Sequence, residues 1–273
     1  MPMAAATLID GGAQPIKRES VMESRNPYLK NLNKIEFAVT NACTGKCKHC
    51  SQGAHSADSE PFRFEIAAEA VKKISARYRI QTVMVFGGEP LLCADAVFSI
   101  IQAATEQKIP KRQIITNGYF SRDPRTVRHV AERLAECGVN DLLLSVDAFH
   151  QETIPLDAVR FFLAEAMTCG IPARLSPAWL VRPDDDNPYN RETRRILERL
   201  ADVCACVGDG NVVFPEGNAK KYLAEYFTGE VAANPYLEDA HDVRCVSFSP
   251  SGDVLDGNAY RQDVMEILER YAP

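Results

Sequence analysis

Apolar, often β-branched runs recur along the chain at residues 35–40, 82–86, 113–116, 142–146, 173–180 and 211–214, and each has the length of a buried strand. Between them the apolar positions change to helical spacing. Residues 64–78 place Ile66, Ala67, Ala70, Val71 and Ile74 on one face, and residues 124–137 do the same with Val127, Val130, Ala131 and Leu134. Residues 156–169 and 191–203 show the same period, the former closed by Gly170 and Pro172 as expected beyond a helix end. Strand starts lie mostly about 30 residues apart, the size of a βα repeat. The alternation predicts an α/β fold, a partial (β/α)6 barrel of the TIM type, over residues 34–218.

The flanks read differently. Residues 1–33 have mixed polarity and no clear period, and are expected to form an arm or cap. Residues 219–273 form a short C-terminal extension. In it "VRCVSFSPSGDVLDGN" predicts a β-hairpin turning at Pro250, Ser251 and Gly252, and residues 261–271 predict a closing helix.

Composition narrows the function. With 46% hydrophobic and 25% charged residues, the chain is long enough for a substantial core. A net charge of −6 argues against a polyanion as main partner, so no nucleic acid is expected. No stretch has the length of a membrane span, and the first residues lack a signal-peptide pattern, so no membrane association and a cytoplasmic location are expected. In that compartment the nine cysteines stay reduced, and their odd number fits poorly with a disulfide framework.

Three of them crowd into "TNACTGKCKHCSQGAH": Cys43, Cys47 and Cys50. The loop is too polar to bury all three as inert thiols. A zinc site, with His49 or His55 as fourth ligand, is one reading, although structural zinc usually draws ligand pairs from separated stretches. Three thiolates from one loop suit three irons of a [4Fe–4S] cube better, and leave the fourth iron open. At the end of the second predicted strand stands Gly87-Gly88-Glu89-Pro90, where bare backbone admits a close ligand and the proline stiffens the exit.

CxxxCxxC after a first strand, followed by GGEP after a second, resembles the radical S-adenosylmethionine (SAM) superfamily. The resemblance implies a [4Fe–4S] cluster on Cys43, Cys47 and Cys50, with the amino and carboxylate groups of SAM on the open iron. It also implies a SAM-contacting turn at Gly87, Gly88, Glu89 and Pro90. "ITNGYF" and "LLLSVDAFH" resemble the third- and fourth-strand motifs of its peptide-modifying and cofactor-maturing branches. By that resemblance Asn117 shapes the neighbouring loop, and Ser145 and Asp147 lie near SAM or substrate. "FPEGNAK" is similar to a strand-six element of the family, with Gly217 in place and Asn218 where arginine is frequent. The implied activity is reductive cleavage of SAM to a 5′-deoxyadenosyl radical that takes hydrogen from a peptide or small-molecule substrate. A noncatalytic Fe–S or zinc redox or metal sensor, and a glycyl-radical-enzyme activase, are the alternatives.

Near the strand ends, Asp147, His150 and Cys93 are candidate catalytic residues, and Trp179 and Glu216 candidate substrate contacts. Lys46 and Lys48 beside the cysteine loop offer a docking patch for a flavodoxin or ferredoxin electron donor. The C-terminal extension resembles a degenerate twitch or SPASM region: Cys245 matches its first cluster ligand, but Gly257 stands where a second is expected. Cys204 and Cys206 are the remaining candidates to complete such a site, and a single cluster is expected.

Overall fold

The computed structural model describes residues 26–55, 60–229 and 232–273. Most of the expected arm, residues 1–25, lies outside the described residues. The strands are β1 (Lys34–Ala38), β2 (Thr82–Phe86), β3 (Lys111–Thr116), β4 (Asp141–Ser145), β5 (Ala173–Ser176), β6 (Ala178–Trp179), β7 (Asn211–Val212), β8 (Cys245–Phe248), β9 (Asp253–Val254) and β10 (Gly257–Asn258). The helices are α1 (Phe64–Arg77), α2 (Ala94–Glu106), α3 (Pro124–Cys137), α4 (Ala148–Gln151), α5 (Leu156–Thr168), α6 (Pro188–Leu200), α7 (Gly217–Tyr222) and α8 (Val264–Arg270).

A six-stranded parallel sheet runs in the order β5-β4-β3-β2-β1-β8, with helices packed along it as in a partial TIM-type barrel. Parallel pairing sends every strand's C-terminal end to one face, so the loops after β1 to β5 meet there. The expected barrel is found, but its strand composition differs from expectation. The predicted run 173–180 breaks at Pro177, which has no N–H for a ladder, and the chain continues as β6. Strand β7, expected as the sixth member, pairs in parallel with β6 in a separate two-stranded sheet.

The sixth member of the main sheet is β8, which lies beside β1 with Phe37 opposite Phe248. Their rings stack at 4.7 Å, and Phe62 meets them edge-on at 5.6 and 6.0 Å. The expected turn at residues 250–252 is present, Gly252 N–H donating to Ser249 C=O at 2.9 Å, but the strand before it joins the main sheet. Alternation of buried Val246 and Phe248 suits β8 to the barrel edge, and the antiparallel hairpin forms one step later between β9 and β10. The fourth long helix also begins earlier than its apolar period implies. Asn187 caps it by accepting from the Asn190 N–H at 2.9 Å, and Pro188 occupies its first turn.

Residues 26–33 are built into the structure. Leu29 and Leu32 are in the core, and the Asn26 amide donates to the carbonyls of Leu268 and Tyr271 at 2.7 and 2.8 Å, closing the end of α8. Among the described residues no helix is long and apolar enough to cross a membrane.

Candidate active site

The loop after β1 carries the three cysteines across the C-terminal face of the sheet. It is fastened to the loop after β2 by two backbone bonds, Gly88 N–H to Thr40 C=O at 2.7 Å and Glu89 N–H to Ala42 C=O at 2.8 Å. These bonds need the close approach that glycine allows. A Cβ on Gly88 would sit 2.7 Å from the carbonyl carbon of Ala42, and Gly87 holds φ +144°, in the region that favours glycine. From the other side, Asn218 at the start of α7 donates its backbone N–H to Cys50 C=O at 2.8 Å and its amide to Cys47 C=O at 3.0 Å.

Cys43, Cys47 and Cys50 line one cleft together with Gly87, Gly88, Asn117, Ser145, Asp147 and His150. Gly45 keeps the space between the sulfurs open, since a Cβ there would lie 3.2 Å from Cys47 Sγ and 3.8 Å from Cys43 Sγ. Polar hydrogens point at two of the sulfurs. Gly45 N–H donates to Cys43 Sγ at 3.3 Å, with the Asn117 amide at 3.7 Å, and His55 Nε2 lies 3.2 Å from Cys50 Sγ.

Burial raises the Cys43 thiol to about 11 against the help of Gly45 N–H. Burial, then the charge of Asp147, raises Cys47 further. For Cys50 burial acts in the same direction, but hydrogen bonds from His55 and backbone N–H groups outweigh it and hold the thiol below its ordinary value. Three adjacent thiolates in such a place need a cationic centre, which a [4Fe–4S] cluster supplies, so the donor set and the open space fit that group.

Asp147 is fully buried at the end of β4. Its carboxylate caps α4 through the N–H groups of Phe149 and His150 at 2.9 and 3.0 Å, binds His150 Nδ1 at 2.8 Å, and accepts from Ala178 N–H at 3.0 Å. Burial alone would raise it, but His150 and these donors hold it at about 2. His150 is raised in turn, Asp147 overcoming the burial that would lower it. Asp147 is thus a brace between β4, α4 and β6, and it fixes the ring of His150 at the cleft wall.

Glu89 is also a brace, not a lining residue. Its buried carboxylate accepts from Thr116 Oγ1 at 2.6 Å, Asn117 N–H at 2.8 Å and Leu91 N–H at 3.0 Å, tying β2 to β3. Burial, partly countered by those bonds, raises it from 4.5 to about 7. The folded state therefore holds this proton more tightly than the unfolded chain. Its contribution to stability is full below about pH 4.5 and is lost as pH rises to about 7, a change of about 3 kcal/mol. In urea unfolding across that window, wild type is expected to lose this much stability relative to Glu89→Gln as pH rises. A constant difference between the two would contradict it.

Several expected site residues stand elsewhere. Cys93 ends the short 3-10 helix Pro90–Cys93, packs against the core and is not among the residues that line the cleft. Pro90 is buried behind the turn. Gly217, with φ +51°, packs on the cysteine loop instead of the cleft, and a Cβ there would lie 2.6 Å from Cys50 O. Trp179 is packed away with Nε1 donating to Asp209 C=O at 3.0 Å, and exposed Glu216 accepts from the Asn234 amide at 3.1 Å. Cys204, bonded to Ala173 C=O of β5, and Cys245 of β8 lie at opposite edges of the main sheet.

Three participants escaped the sequence reading, and a fourth, His49, stood out there only as a possible zinc ligand. His49 packs between Phe149 and His150 at 4.8 Å from each, with Nδ1 buried and unpartnered among the described residues, and burial lowers it to about 4. Donor atoms of Cys47, His49 and His150 lie within 4.8 Å of one another. Ser176 could have been found from its place at a strand end. Phe214 and Tyr236, ring to ring at 6.1 Å on the cleft wall, carry no signal in the sequence.

Residues 37–167 match the sequence model of the Radical SAM superfamily. Curated relatives include the probable GTP 3′,8-cyclase of Methanocaldococcus jannaschii, 23% identical over 128 residues that are 47% of this chain and 41% of the relative. The same-named protein of Methanocella arvoryzae is 30% identical over 128 residues, 46% of this chain and 38% of that one. The chain thus covers well under half the length of these relatives. Among solved structures, Streptococcus suis SuiB bound to S-adenosylmethionine superposes with a TM-score of 0.57 at 16% identity, over 89% of this chain and 66% of that one. anSMEcpe with bound AdoMet and Cp18Cys peptide gives 0.53 at 13% identity, over 87% and 80%. These two show the fold; residues 37–167, which span the cysteine loop, GGEP and the third- and fourth-strand motifs, carry the likeness to the radical SAM superfamily.

Proposed function

We propose that this chain is a radical SAM enzyme in which Cys43, Cys47 and Cys50 hold three irons of a [4Fe–4S] cluster and the cleft beside them receives SAM and substrate. The observation that carries the reading is the meeting of these three sulfurs with the bare Gly87-Gly88 backbone and the ends of β3 to β5 in a single cleft. When bound on these cysteines, the cluster would supply one-electron reductive cleavage of SAM, the chemistry that would lead to hydrogen-atom abstraction from a substrate C–H bond.

The protein's own work is placement. Gly45 and Asn117 donate toward Cys43 and His55 lies against Cys50, which orients the sulfurs and spreads their negative charge. Gly87 and Gly88 let a ligand lie against the end of β2. Ser145 presents a hydroxyl, and His150, with Nδ1 engaged by Asp147, keeps Nε2 for the contents of the cleft. Apolar Phe86, Leu143, Val212 and Phe214 exclude water from a reactive radical.

For the substrate we favour a peptide or small molecule without a triphosphate. Among the described residues, no lysine or arginine lines the cleft to neutralise one, unlike what the cyclases' name requires of their substrate. Crystallised neighbours of the same fold hold peptides.

The test is anaerobic reconstitution with iron and sulfide, then dithionite and SAM, with 5′-deoxyadenosine followed by chromatography. About four irons per chain and steady formation of 5′-deoxyadenosine are expected. An intact cluster without SAM cleavage would favour the noncatalytic sensor. Uptake of zinc in place of iron and sulfide would point to the Cys47, His49 and His150 donors and refute the enzyme reading.

A further inference from the structure

We infer that the outer side of the cysteine loop, with α7, is the docking face for a negatively charged one-electron carrier protein. This rests on the reading above and names the partner that reading requires: the carrier gives up one electron, and the centre held by the three cysteines gains it.

The face is built from three elements that are distant in sequence. Lys46 and Lys48 come from the cysteine loop, Tyr189 from α6, and Lys220, Lys221 and Tyr226 from α7 and the turn after it. Asn218 and Gly217 lock the start of α7 onto the carbonyls of Cys47 and Cys50, so Lys220 and Lys221 stand within one helical turn of the loop. Lys46, Lys220 and Lys221 are exposed, and none of them forms a side-chain ion pair among the described residues. Lys48 reaches over the Tyr189 ring at 5.9 Å and pairs with Glu152 at 2.9 Å. Apart from Glu152, the neighbouring acids are Glu216, held by Asn234, and Glu225. A concentration of unpaired cations on a chain of net charge −6 attracts an acidic surface selectively.

Packing beneath the face leads inward. The Tyr226 ring meets Tyr189 at 6.0 Å, Tyr189 stacks on Phe149 at 4.5 Å, and Phe149 lies 4.8 Å from His49, inside the Cys47-x-x-Cys50 turn. A carrier seated on the lysines is therefore joined to the cysteine loop by continuous contact, with no water-filled gap to cross. The cleft is lined by Gly87, Ser145 and Tyr236 and by none of these four lysines, so carrier and substrate can be bound together.

The test uses the reconstituted full chain and flavodoxin hydroquinone as probe, with bleaching of the cluster absorbance followed by stopped flow. Dithionite serves as a reductant that needs no docking face. For Lys220→Glu/Lys221→Glu the flavodoxin rate is expected to fall about tenfold or more at low salt, with the dithionite rate unchanged. Lys220→Gln/Lys221→Gln should fall between the two. Added salt should slow the wild-type reaction and leave the charge-reversed one nearly unaffected. Flavodoxin rates that ignore both charge reversal and salt would overturn the docking face while the enzyme reading stands. Failure to assemble a cluster, or cluster reduction by dithionite without SAM cleavage, would instead remove the reading on which the face rests.

Discussion

Alanine at Cys43, Cys47 or Cys50 is expected to leave a folded protein that holds little or no [4Fe–4S] cluster and cleaves SAM more than about 100-fold more slowly than wild type. On the proposed reading each sulfur serves one iron, and among the described residues no other thiol lines the cleft to replace it. Removing even an orienting group around a metal ligand commonly costs 10- to 100-fold, so losing the ligand itself must cost at least as much. The fold should survive, because a cysteine behaves as a small apolar side chain and its truncation costs on the order of 1 kcal/mol. Cys93→Ala, Cys204→Ala and Cys245→Ala are the controls, and each should keep its iron and its activity. Iron and sulfide analysis, circular dichroism and 5′-deoxyadenosine yield measure the three parts separately. Full activity in Cys43→Ala would end the assignment.

The repeating βα units were legible because each strand buries a compact apolar run and each helix buries a stripe of the right period. What escaped were features decided by tertiary partners. Nothing local says that residues 245–248 will leave their own hairpin to lie beside β1. That choice is made by Phe248 stacking on Phe37, a contact between residues more than two hundred positions apart. Pro177 was visible as a residue without an N–H, yet the consequence, a strand that changes sheets, depends on β7 being there to receive β6.

In the site the same division holds. The cysteine spacing and GGEP were readable because their geometry is local: sulfurs close in sequence reach one cleft, and glycine backbone admits a neighbour. The sequence also marked Glu89, Asp147 and Gly217 as cofactor contacts, and the structure gives each of them a bracing part as well. Their described roles are to hold loops together, since a buried carboxylate surrounded by N–H and O–H donors binds its own chain first. Whether a strand-end carboxylate points into a cleft or back into the structure depends on where those donors fall. His49 was noticed only as a possible zinc ligand, because its stacking partners, Phe149 and His150, both come from α4, a hundred positions away in sequence.

The glycines that fasten the cysteine loop give the second large effect. In Gly88→Ala the new methyl would meet the Ala42 carbonyl, 2.7 Å from its carbon, in backbone that also carries the Glu89 N–H bond and leads directly into Cys43. Neither strand can retreat, since β1 and β2 are paired from Lys34 to Ala38, so the loop itself must move. A displacement of even about 1 Å in a site that must hold reacting groups in register costs on the order of 100-fold. We expect Gly88→Ala to retain the fold with stability reduced by about 1–3 kcal/mol, to take up substoichiometric iron and to lose about 100-fold in SAM cleavage. Gly217→Ala attacks the opposite anchor, 2.6 Å from Cys50 O and with φ +51°, at a residue that does not itself line the cleft. If the loop is positioned from both sides, as the hydrogen bonds to Gly88, Glu89 and Asn218 imply, this distant change should also lower iron retention and SAM cleavage together. Iron content, melting temperature and 5′-deoxyadenosine yield of the two variants decide the matter. Normal iron and activity in Gly217→Ala would show that α7 is not needed to hold the loop.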